Sequence, residues 1–152
     1  MSNTVSLILK NPSIRISATG VFCFGFAGAA TAPYLSVIGI QELGMSDRGY
    51  ALVMAAGALI SVAASVLIGN LTDRLGSYRL MLALCSLSGF VGFTSVYFLP
   101  SIGSFALAKV VFIPLFTALY PLLFANVRTE TASLPSAEVA SVNSGIRAVL
   151  SL

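Results

Sequence analysis

Four apolar runs, each about as long as a helix must be to cross a lipid bilayer, fill most of this chain and leave room only for short polar connections. A hydrocarbon core ~30 Å thick takes ~20 helical residues to span. The runs lie at roughly 16–40, 49–69, 80–99 and 105–125. In lipid the backbone must satisfy its own polar groups, so runs of this length predict helices and an all-α membrane protein with four complete transmembrane spans. Pro33, inside the first run, predicts a local kink there.

Composition excludes most alternatives. Hydrophobic residues make up 57% of the chain and charged residues 9%, with a mean hydropathy of +0.98, whereas a soluble domain carries about 25% charged residues. The eight Lys and Arg stand singly and form no basic patch, which argues against a nucleic-acid partner. Cys23 and Cys85 fall within apolar runs without disulfide or zinc spacing and read as small buried hydrophobes. Histidine, the commonest proton shuttle and metal ligand, is absent.

Residues 1–15 are expected to lie in the cytoplasm. Asn11, Pro12 and Arg15 are too polar, and the first run too long, for a cleaved signal peptide. Cytoplasmic loops retain Lys and Arg preferentially. By alternation Lys10, Arg15, Arg74, Arg79 and Arg128 share one side, and only Arg48 lies in a loop on the other. The loops at 41–48 and 100–104 are therefore expected outside.

The segment 129–137 is polar, and from Glu138 an apolar pattern resumes as far as Leu152. A helix starting there reaches only about 21 Å, short of the ~30 Å core. Ending it in lipid would strand its last carbonyls at several kcal/mol each. The expectation is the start of a fifth span, 138–152, in an N-terminal fragment that is not transport-competent alone.

Between the second and third runs stands GNLTDRLGSYR, residues 69–79. It resembles the loop between helices two and three of the major facilitator superfamily, written G-x-x-x-D-R-x-G-x-[RK]-[RK]. Gly69, Asp73, Arg74 and Gly76 match its fixed positions, Ser77 and Tyr78 depart from it, and Arg79 supplies a basic residue. The resemblance implies the N-terminal part of the major facilitator fold, with 16–152 belonging to its first six-helix half. It also implies a conformational latch, formed by these five residues against a helix of the missing C-terminal half by charge–dipole and charge-assisted hydrogen bonding. An ordinary solvated turn that merely sets topology is the alternative.

APYLS at 32–36, PLLFANVR at 121–128 and SGIRAVLSL at 144–152 are similar to stretches of the bacterial sugar efflux transporters of the SET family. Leu122 stands where that family often has glutamine. The resemblance implies proton-coupled efflux of small sugars or glycosides, by antiport and alternating access, in the bacterial inner membrane. Multidrug efflux within the same superfamily is an alternative. So is a small four-helix membrane protein acting as an assembly partner.

Intramembrane charges are costly and mark function. Arg147, about 13 Å into the fifth span, is expected to line the substrate path or pair with a carboxylate, its planar fork suiting sugar hydroxyls. Lys109 lies near the outer face, within reach of the headgroups by snorkelling. Tyr34, Tyr120, Asn126 and Asn143 are further polar candidates for the path, although tyrosines near span ends also serve as interfacial anchors. Glu42, Asp47, Asp73, Glu130 and Glu138 all fall in loops or at span ends. No catalytic pair, metal cluster or phosphate-binding glycine loop is present in the sequence, so neither an enzyme, a cofactor nor a nucleotide-driven pump is expected.

Overall fold

The computed structural model describes residues 12–131 together with Val139, Ala140 and Ser144. Four helices are long and apolar enough to cross a membrane: Ile14–Tyr34, Asp47–Leu75, Tyr78–Phe98 and Ile102–Thr129. The described residues are helical, with α1 (Pro12–Thr31), α2 (Asp47–Leu75), α3 (Tyr78–Phe98), and a fourth span built from α4 (Ile102–Leu107), a π-helical turn (Ala108–Phe112), α5 (Ile113–Thr117) and α6 (Leu119–Glu130). Of the expected fifth span only Val139, Ala140 and Ser144 are described, each helical; the rest of 138–152 lies outside the described residues, as do 1–11.

Each span falls where hydropathy places it, with two differences. At Pro33 the kink is a change of helix type: α1 stops at Thr31, a 3-10 turn carries Ala32–Tyr34, and a π-helical segment runs over Val37–Glu42. And α2 continues past 69 to Leu75, so most of the expected loop is helix. Hydropathy reports where lipid ends, and the helix goes on into polar surroundings.

The described residues divide into two compact units, Thr31–Leu119 and the described parts of Met1–Ala30 with Tyr120–Leu152. In the first, α2 and α3 both pack on the π-turn and α5 of the fourth span. Small residues permit that approach, as membrane helices require where lipid is as apolar as any side chain. A Cβ on Gly57 of α2 would stand 2.6 Å from the Lys109 carbonyl oxygen, and one on Gly89 of α3 would stand 2.3 Å from the Phe116 ring. Phe93 meets Phe116 edge to face, with centroids 6.0 Å apart. Ser88 Oγ donates to the Phe112 carbonyl at 2.6 Å, tying α3 to the fourth span. Hydroxyls that point along their own helices return their protons to it: Ser61 to the Gly57 carbonyl and Ser65 to the Ser61 carbonyl, both at 2.8 Å.

Helix starts carry conventional caps. Ser46 Oγ accepts the Gly49 N–H at the head of α2, with Asp47 in the first turn. Ser101 and Ser104 exchange hydrogen bonds in a capping box at the head of α4.

In the second unit α1 and α6 run antiparallel, which the contacts themselves record. Asn126 Nδ2 donates to Ser17 Oγ at 2.9 Å, a Cβ on Gly20 would meet the Leu123 side chain at 2.9 Å, and the Phe24 and Tyr120 rings lie 5.8 Å apart. Positions rising by three or four on α1 meet positions falling by three on α6, the one-face spacing of two α-helices. Ile14, Ser17, Val21, Leu122, Leu123 and Val127 are buried in this unit.

Candidate functional site

The α2–α3 turn is the most constrained polar feature. Thr72, fully buried, donates its hydroxyl to the Ile68 carbonyl at 2.7 Å, and its own carbonyl accepts the Gly76 N–H at 2.9 Å. Gly76 takes a left-handed conformation at φ 62°, which a side chain would make costly by roughly 1 kcal/mol. The chain thereby reverses within two residues, Gly76 and Ser77, before α3 begins at Tyr78.

Asp73, Arg74, Gly76 and Arg79 are all exposed at this end of the hairpin, and Gly69 is half-buried two turns earlier. Arg74 sits in the last turn of α2, where the helix dipole favours a cation. Asp73 shares that end, which disfavours its charge, and Tyr78 compensates: its hydroxyl donates to Asp73 Oδ1 at 3.2 Å. Tyr78 is one of the two departures from the expected loop pattern, and this bond gives it a use in the turn. Among the described residues Asp73 has no cationic partner, so its carboxylate is held in place by a neutral donor and stays open to a further one.

The candidates for a substrate path are dispersed. Lys109 is half-buried on the π-turn of the fourth span. Ile113 N–H, the α-helical donor to the Lys109 carbonyl, is turned to Ala108 O, and Pro114, the π-helical donor position, has no N–H. The Lys109 carbonyl is thus freed of both and faces Gly57. Tyr34 is exposed on the 3-10 turn after α1. Asn126 and Tyr120 come together on the α1-facing side of α6, the amide of Asn126 bonded to Ser17. Asn143 and Arg147 lie outside the described residues.

Glu42, Asp47 and Asp73 are exposed at span ends, and among the described residues no group of three or more His, Cys, Asp or Glu could hold a metal ion. Cys85 is buried as expected, whereas Cys23 is exposed on α1. Sequence reasoning overlooked Ser17, Gly20, Phe24, Ser88 and Gly89. Their signal is a small or aromatic residue at helical spacing, and it acquires meaning only once the partner helix is known.

Comparison with known proteins agrees with this arrangement. The family model described as Major Facilitator Superfamily matches residues 2–151. The chain is 24% identical over 131 residues to a Deinococcus radiodurans protein named "Putative sugar efflux transporter", covering 86% of this chain. It spans about a third of that relative's length, 34%. No solved structure gives a significant match. Hairpin helices long enough to cross a membrane, a glycine-closed charged turn between the second and third, and a family match over nearly the whole length converge: the chain belongs to the major facilitator superfamily and is part of a multi-pass membrane transporter.

Proposed function

We propose that this chain supplies the first spans of a secondary transporter that exports small sugars or glycosides in exchange for protons, by alternating access. The carrying observation is the α2–α3 turn. A carboxylate fixed at a helix hairpin by Tyr78 and otherwise open is suited to grip the N-terminus of a helix from the other half of the full-length protein and release it. Charge–dipole contacts of this kind are worth about 0.3–2 kcal/mol, weak enough to make and break in each cycle. Gly69, Asp73, Arg74, Gly76 and Arg79 form this latch on the cytoplasmic side of the bacterial inner membrane, with the N-terminus also cytoplasmic.

The sugar class rests on the resemblance to sugar efflux transporters and on the name of the similar Deinococcus protein. Arg147, Asn143, Tyr34, Tyr120, Asn126 and Lys109 line the path in this reading. The test uses the full-length transporter in liposomes with an imposed pH gradient. Movement of methyl glucoside or methyl galactoside against its gradient, abolished by a protonophore, is the expected result. Transport of tetraphenylphosphonium with no movement of either glycoside would instead make the protein a multidrug exporter.

A further inference from the structure

The α1–α6 pair holds three aromatic rings at a depth where one of them is out of place. Tyr120 is nine residues from Thr129, the end of the fourth span, or about 13 Å along a helix, which is close to the middle of a ~30 Å core. Its ring lies 5.8 Å from that of Phe24, tilted by 35°, and 5.0 Å from that of Phe124, tilted by 59°. All three rings are half-buried, so part of each remains open. Among the described residues the Tyr120 hydroxyl has no hydrogen-bond partner, and no buried polar side-chain atom goes unbonded; the hydroxyl therefore reaches open space. A phenylalanine would pack here equally well. A phenol hydroxyl at this depth is costly unless something polar comes to it.

We propose that Phe24, Tyr120 and Phe124 form a stacking site for a pyranose ring. The electron-rich ring faces attract the weakly positive C–H groups on the apolar face of a sugar, and the tilted rings form a corner instead of a closed stack. The Tyr120 hydroxyl meets a sugar hydroxyl at the rim. Eleven residues of α1–α6 packing beneath, from Gly20 against Leu123 to Asn126 bonded to Ser17, hold the two helices in register below it. The inference rests on the sugar reading above and adds the ring-shaped substrate and the residues that select it.

The experiment measures KM and kcat for radiolabelled methyl α-D-glucopyranoside and methyl β-D-galactopyranoside in liposomes holding the full-length protein. Tyr120→Leu and Phe24→Leu are expected to raise KM about tenfold with kcat nearly unchanged, and Tyr120→Phe about threefold. Sorbitol, which has hydroxyls but no ring face, is expected to compete poorly with either glycoside. Wild-type KM in the leucine variants, in a protein that does carry the glycosides, would overturn the stacking site and leave the sugar reading standing. Failure of the wild type to carry either glycoside would remove the sugar reading and the site with it. Should the leucine variants not reach the membrane, Tyr120→Phe decides alone: a raised KM supports the site and an unchanged one overturns it.

Discussion

At the scale of single residues, this chain's close contacts are made by side chains that are nearly or wholly absent. Gly57 lets α2 lie against the freed Lys109 carbonyl, and its missing Cβ would fall 2.6 Å from that oxygen. Backbone cannot rotate away as a side-chain tip can. Gly57→Ala should therefore destabilise the full-length protein by about 1–3 kcal/mol, the cost of overpacking, seen as a lower midpoint in a detergent thermal-shift assay. An unchanged midpoint would mean that the two helices do not meet at this point. Tyr78 works by the opposite means, placing a donor on Asp73 from the first residue of α3. Tyr78→Phe should weaken transport only two- to threefold, in keeping with about 0.5 kcal/mol for an exposed hydrogen bond.

At the scale of elements, the fourth span is shaped by Pro114 and the π-turn before it. That turn presents the Phe112 carbonyl to Ser88, an interhelical bond worth about 0.6–2 kcal/mol in a membrane. Ser88→Ala should lower thermal stability by that amount, and Ser88→Thr, which keeps the hydroxyl, should lose less. The four spans themselves were legible in the sequence, because twenty apolar residues in a row have few other uses. The tail of α2 was not: Asn70, Thr72 and Asp73 read as loop, and only the Thr72 hydroxyl turned back on Ile68 and the Gly76 cap reveal a helix leaving the lipid. Nor did the π-turn leave a periodic trace, although Pro114 marked the place. Asn126 was legible as polar and its bond to Ser17 was not, since a helix's own pattern does not say which neighbour it meets.

At the scale of the whole molecule, the distribution of Lys and Arg sets the orientation proposed above, and chemical labelling checks it. In a full-length protein cleared of native cysteines, Ser101→Cys should react with a membrane-impermeant maleimide added to intact cells, and Ser77→Cys only after the membrane is opened. The reverse pattern would invert the topology and place the α2–α3 turn outside.

The latch is the central claim, and Asp73→Asn tests it most directly, because it removes one charge while preserving shape and the acceptor for Tyr78. Measured as glycoside efflux by the full-length protein at equal membrane abundance, transport should fall at least about tenfold, the equivalent of ~1.4 kcal/mol. Wild-type efflux from the Asp73→Asn protein would contradict the account and leave residues 69–79 as an ordinary solvated turn.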